Sequence, residues 1–131
     1  MHAFIIEDEY LIGQSLRDML ERLGFSDFSF ARSEDAAVQG IGSRPVDLIT
    51  ADVRLLPGDG LNAVEAICER RNIPVIFITG YADELKERAP DAIVVQKPIK
   101  ADELQAAVTE VMSSRVTSVG AQPTSSQSSP D

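Results

Sequence analysis

Cysteine occurs once in this 131-residue chain, at Cys68, so no internal disulfide can staple it. Basic residues are also scarce, with 12 Lys and Arg against 21 Asp and Glu and a net charge of -9. Nucleic-acid binding draws most of its affinity from a basic face on the phosphates, so this balance argues against that class. It argues equally against adhesion to anionic membranes. No apolar run approaches the length that crosses a bilayer, and Met1-His2-Ala3 lacks the basic opening of a signal peptide. The expectation is a cytoplasmic protein with neither nucleic-acid nor membrane partners. Internal repeats are absent too.

What is present is 44% hydrophobic residues in a length that suits one domain with one continuous core. Composition changes sharply near the C-terminus. From Val116 to Asp131 there are five Ser, two Thr, two Pro and one charge, with no apolar periodicity. Such a stretch cannot bury enough surface to offset its ordering entropy. The expected organisation is therefore a folded domain over residues 1–115 and a disordered tail over 116–131.

Within the folded part, short apolar runs alternate with amphipathic segments. Ala3-Phe4-Ile5-Ile6 stops at Glu7-Asp8-Glu9, and Leu11, Ile12, Leu16, Met19, Leu20 and Leu23 then recur at helical spacing before Gly24. Residues 25–31 alternate as a strand does, and Ser33 opens a short helix as a capping residue. Val46 to Ala51 is the next strand, ending at Asp52, and a loop with Pro57, Gly58 and Gly60 leads into a helix marked by Leu61, Val64, Ile67 and Cys68. Pro74 to Thr79, a short helix over 82–88, a strand over 92–96 and a helix carrying Leu104, Val108 and Val111 complete the series. Five strand–helix repeats, with strands apolar on both faces, imply a doubly wound parallel sheet with helices on both sides rather than a barrel. Ligands of such sheets bind at the carboxyl ends of the strands.

The residues at those ends are Glu7-Asp8, Asp52, Thr79-Gly80 and Lys97-Pro98. Crowded carboxylates raise one another's pKa unless a cation compensates, and hard oxygen donors in this number suit Mg2+. Lys97 supplies a fixed positive charge for a phosphate, and Thr79 a hydroxyl donor for the same oxyanion. A carboxylate nucleophile beside a metal and a lysine is equipped to take up a phosphoryl group as an acyl phosphate.

This ordered set, over residues 3 to about 115, resembles the receiver domain of two-component response regulators. The resemblance implies a flavodoxin-like sheet of strand order 2-1-3-4-5. It implies Asp52 as phosphoacceptor, with Glu7, Asp8, Asp52 and the backbone carbonyl of Arg54 as Mg2+ ligands. Thr79 would be the switch hydroxyl, Lys97 would contact a phosphoryl oxygen, and the bond to Pro98 would be cis. The implied partners are a histidine kinase or phosphotransfer protein upstream and a protein target downstream. Because residues 116–131 cannot form an output domain, that target is expected to act in trans, or the chain to serve as a phosphate sink. Phosphorylation would change the surface of the fourth helix, fifth strand and fifth helix.

Three positions depart from the family pattern. Leu56 stands four residues after the acceptor, where proline is usual, while Gly60 keeps its offset of eight, so the loop differs in shape and not in length. The interval from Thr79 to Lys97 is short, which implies an abbreviated fourth helix. Val94 takes the place of the usual aromatic switch residue. Instead, Phe77-Ile78-Thr79-Gly80-Tyr81 resembles the FATGUY subgroup of receivers, with Tyr81 as the responsive ring or as a shade over the site.

Blander roles exist for the same residues: Glu7 and Asp8 as helix caps, Asp52 as a loop carboxylate, Tyr81 as packing. His2 reads as solvent-exposed, Cys68 as core and Arg70-Arg71 as a solvated helix end. Competing functions are a Mg2+-dependent phosphohydrolase and a phosphorylation-independent adaptor. Asp52-Val53-Arg54 lacks the second acid a hydrolase would use as acid/base, and an adaptor has no need of the intact acidic set. Apart from its own phosphorylation and dephosphorylation, no enzymatic turnover is expected.

Overall fold

Strands and helices alternate along the chain as β1 (His2–Ile6), α1 (Tyr10–Arg22), β2 (Asp27–Ala31), α2 (Glu34–Gly40), β3 (Leu48–Ala51), α3 (Gly60–Cys68), β4 (Val75–Thr79), α4 (Ala82–Arg88), β5 (Ile93–Gln96) and α5 (Ala101–Gly120). The computed structural model describes residues 1–120, the side chains of 114–120 excepted. All five strands join one parallel sheet in the order β2-β1-β3-β4-β5. This is the doubly wound architecture expected from the strand–helix repeats.

The strand period of two explains how one sheet feeds two cores. Phe4, Ile6, Ile49, Ala51 and Phe77 point to one face and pack with Leu61, Val64, Ile67 and Leu85 of α3 and α4. Ala3, Ile5, Leu48, Ile76 and Ile78 point to the other and meet Leu16, Leu20, Leu104 and Val108 of α1 and α5. Every residue of β1 and β3 is buried, so these strands read as unbroken apolar runs. Helix ends are set locally: Ser33 Oγ accepts from Ala36 N at 3.1 Å, Asp59 Oδ1 accepts from Asn62 N at 3.0 Å, and Gly24 turns the chain after α1 with φ 103°.

Several expectations are corrected. His2 is buried, not exposed, because it opens a strand flanked on both sides. Its Nδ1 lies 3.1 Å from Pro45 O and its Nε2 2.8 Å from Ser29 Oγ. Leu11 is 79% exposed, since it stands about 100° round α1 from Ile12, which packs against the core. Cys68 is half-buried at the core margin, and Arg71 is no free helix end but donates to Gly42 O and Arg44 O, the latter at 2.6 Å. The boundary expected at residue 115 falls inside α5, which runs to Gly120. Once a helix is nucleated, each added residue gains a hydrogen bond, which carries it past a weakly apolar sequence. Residues 121–131 of the expected tail lie outside the described residues.

Candidate phosphoryl-accepting site

Backbone pairing continues one residue beyond the strands and places the candidate side chains. Glu7 N donates to Ala31 O at 2.9 Å, Asp52 N to Ile6 O at 3.0 Å, and Lys97 N to Thr79 O at 3.0 Å. Glu7, Asp52 and Lys97 are thereby held at the carboxyl edge of the sheet, where ligands of this architecture bind. One carboxylate oxygen from each of Glu7, Asp8 and Asp52 lies within 4.8 Å of the others.

Lys97 bridges two of these acids. Its Nζ donates to Asp52 Oδ2 at 2.8 Å and stands 3.0 Å from Glu7 Oε1, an ion-pair contact outside hydrogen-bond geometry. Glu7 and Asp52 are only 5% and 6% exposed. Burial pushes the Glu7 carboxyl up to about 7, and the neighbouring charge of Asp52 adds to the rise. The backbone N–H of Glu9 and the Lys97 ammonium pull the other way. Burial alone would lower Lys97, but its hydrogen bond to Asp52 and its ion pair with Glu7 outweigh that and hold it above the ordinary lysine value. Three converging carboxylates, one with an oxygen lacking a hydrogen-bond partner, form the donor set a hard divalent cation takes.

Glu7 makes the stability of the metal-free chain depend on pH in a definite direction. A carboxyl raised from 4.5 to about 7 keeps in the folded state a proton that the unfolded chain has released. The folded state therefore binds more protons between those values, and stability falls as pH rises through that window. Chemical denaturation without divalent ions should show wild type losing on the order of 2 kcal/mol between pH 5 and pH 7.5 relative to Glu7→Gln. Parallel pH profiles for the two proteins would contradict this.

The remaining candidates are arranged around this centre. Thr79 is fully buried at the end of β4, and its Oγ1 accepts from Tyr81 N at 3.0 Å. Among the described residues no hydrogen bond joins it to Asp52. Asp8 Oδ2 accepts from Leu56 N at 3.1 Å, which ties the acid to the β3–α3 loop instead of to a helix cap. The Leu56–Pro57 and Lys97–Pro98 bonds are both cis, and Gly58 has φ 110°. Arg54 N approaches Asp52 Oδ1 at 3.4 Å.

Tyr81 is half-exposed, with the Arg54 guanidinium stacked 3.7 Å from its ring centroid. The same guanidinium pairs with Glu84 of α4 at 3.3 Å. One turn on, Arg88 pairs with Asp59 Oδ2 at 2.7 Å. Two ion pairs of opposite polarity thus tie α4 to the β3–α3 loop. The family resemblance implies a role only for the carbonyl of Arg54, and nothing in the sequence pattern gives Glu84 or Arg88 one. Their spacing of four on a short helix is the only local signal, and it does not name the partners.

The family described as response regulator receiver domain matches residues 3–109. The phyllosphere-induced regulator PhyR of Methylorubrum extorquens is 35% identical over 112 residues, which are 82% of this chain and 42% of that protein. PhyR from Bartonella quintana, described as an anti-anti-sigma factor, superposes with TM-score 0.82 at 31% identity over 92% of this chain and 50% of that one. The receiver domain of Erythrobacter litoralis PhyR gives TM-score 0.78 at 30% identity over 85% of this chain and 88% of that domain. The chain spans less than half the length of the curated relatives it matches first.

Proposed function

Since the chain belongs to the response regulator receiver domain family, a family of signalling regulators, we propose that it takes a phosphoryl group onto Asp52 and signals through a protein partner. The observation that carries this reading is the Lys97 ammonium 2.8 Å from a buried Asp52 carboxylate, beside Glu7 and Asp8. In the step proposed, an Asp52 carboxylate oxygen attacks phosphorus of a phosphohistidine on a histidine kinase or phosphotransfer protein. The O–P bond forms, the N–P bond breaks, and the imidazole leaves and regains its proton.

Lys97 stays charged and neutralises a phosphoryl oxygen as its hold on Asp52 is shared. Glu7, Asp8, Asp52 and the Arg54 carbonyl are the proposed holders of Mg2+, which when bound would supply charge neutralisation for the acids and the transferred group. Thr79 is the proposed switch hydroxyl: to reach the phosphoryl group it must exchange its bond from Tyr81 N, which would release the Tyr81 turn and the Arg54 stack above it. The cis bond before Pro98 follows Lys97 directly at the site.

The downstream target is proposed to be a protein acting in trans; the description of a relative as an anti-anti-sigma factor supports a protein over a nucleic acid. Beyond its own phosphorylation and dephosphorylation we assign the chain no enzymatic turnover. Among the described residues no helix is long and apolar enough to cross a membrane, and the cytoplasm remains the proposed location.

Incubation with acetyl phosphate and Mg2+ should add one phosphoryl group to the intact mass, and chelation of Mg2+ should prevent it. An unmodified wild type would overturn the reading in favour of an adaptor that works without phosphorylation. Rapid turnover of external phosphomonoesters would overturn it in favour of a hydrolase.

A further inference from the structure

The β3–α3 loop carries a backbone donor that the usual receiver sequence lacks. Leu56 stands four residues after Asp52, where proline is usual, and proline has no backbone N–H. In this chain that N–H donates to Asp8 Oδ2 at 3.1 Å. The Leu56 side chain is 85% exposed, so what the position contributes to the site is its backbone. Asp8 is held at its main chain as well, because Arg32, just beyond β2, donates to Asp8 O at 3.1 Å. The freedom left to Asp8 is rotation of its side chain, and the bond from Leu56 limits that. A carboxylate offers about four lone-pair sites, so an N–H on Oδ2 leaves Oδ1 open to a cation. The bond orients the acid without using it up.

The loop is itself held from outside the site. Arg54 and Asp59 face each other in an antiparallel bridge, and Leu55 N donates to Gly58 O at 3.1 Å. At the far end of this small hairpin, Glu34 of α2 accepts from Asp59 N through Oε1 at 3.0 Å. Glu34 N donates to Pro57 O at 3.4 Å, closing a second contact with the same loop. The seat is close, since a Cβ added at Gly58 would stand 2.5 Å from Glu34 Cβ. From the other side Arg88 of α4 holds the Asp59 carboxylate. Direct contacts therefore run from Glu34 to Asp59, through the hairpin to Leu56, and on to Asp8.

We propose that the Leu56 N–H and the Glu34 carboxylate are positioning groups for a divalent cation held by Glu7, Asp8 and Asp52. Leu56 orients Asp8, and Glu34 sets the loop that carries Leu56; neither is itself a ligand. Partners that orient metal-binding carboxylates cost roughly tenfold or more in affinity when they are removed. The proposal rests on the reading of the three acids as a Mg2+ site and adds what holds that site in shape.

The test is a Mg2+ titration of the full unphosphorylated chain followed by amide resonances, which needs no phosphoryl transfer. Leu56→Pro, which deletes the N–H, should weaken Mg2+ binding roughly tenfold, and Leu56→Ala, which keeps it, should bind as wild type does. Glu34→Ala should weaken binding several-fold, while Glu34→Gln, whose amide oxygen can still accept from Asp59 N, should not. Both Glu34 variants remove the same charge, so only the lost hydrogen bond separates them. Hydrogen exchange at the Leu56 amide should be slow for so exposed a residue and should quicken in Asp8→Ala. Equal affinity of Glu34→Ala and Glu34→Gln would overturn the proposal, and this pair decides where Leu56→Pro fails to fold. Tighter binding by Leu56→Pro would also overturn it, because the N–H would then be competing with the cation for Asp8. A wild type without saturable Mg2+ shifts would overturn the metal reading together with the proposal. Saturable wild-type binding with indistinguishable variants would overturn the proposal alone.

Discussion

Asp52→Asn is expected to take up no phosphoryl group from acetyl phosphate under conditions that modify the wild type completely. The amide has the carboxylate's shape but not its nucleophilicity, so the loss should be all-or-none at the level of intact mass. No other acid can substitute in place. Glu7 is held by burial, by the Glu9 N–H and by the Lys97 contact, and Asp8 is bound to Leu56 N. The variant should remain folded, because the amide oxygen that replaces the carboxylate can still accept from Lys97 and the neighbouring strand residues Thr50 and Ala51 are untouched. It also removes one of three clustered negative charges, so Glu7 loses a neighbour that raises its pKa. Folded Asp52→Asn that still gains phosphoryl mass would mean that Asp52 is not the acceptor. An unfolded variant would show as lost chemical-shift dispersion, and Asp52→Glu would then serve as a second probe of acceptor position.

Gly60→Ala is expected to destabilise the chain by roughly 3 kcal/mol and lower Tm by about 10 °C. Gly60 begins α3, and its N donates to Val53 O at 2.7 Å. A Cβ added there would overlap the carbonyl oxygen of Asp52 and stand 2.8 Å from its carbonyl carbon. Both obstacles are backbone, next to a strand paired on both edges, so neither can yield as a flexible side chain would. Relief requires α3 to draw back, which strips cover from Val53, Leu61 and Val64, or the backbone of Asp52 to shift toward Lys97. Phosphoryl uptake by Gly60→Ala should therefore slow even at temperatures where it remains folded. Thermal unfolding checks the first effect and the rate of mass gain the second; a variant with wild-type Tm would contradict the close approach. Gly40, with nothing within 4 Å of an added Cβ, provides the control.

The division of labour between sequence and fold is visible in particular residues. The sheet was legible because parallel strands buried on both faces are continuous apolar runs, as β1 and β3 are, and because Gly24 and Ser33 mark helix boundaries locally. The acidic pair, Asp52, Thr79 and Lys97 were legible for a related reason. Each ends a strand or lies just beyond one, and a parallel sheet with right-handed crossovers sends every strand end to one edge. Their identities and order in the sequence therefore already implied convergence. Local patterns misjudged His2, Leu11 and the end of α5, where burial depends on what lies across the sheet or on helix propagation rather than on residue type.

What tertiary structure alone decided are the relations between segments distant in sequence. The pairing of Arg54 with Glu84 and of Asp59 with Arg88 depends on the shape of the β3–α3 loop and on how far α4 extends. The sequence by itself determined which chemical groups reach the edge of the sheet, since that follows from period and order. How those groups are buried, paired and charged was decided by packing, because solvation and Coulomb energies depend on distances across the fold that no local pattern records.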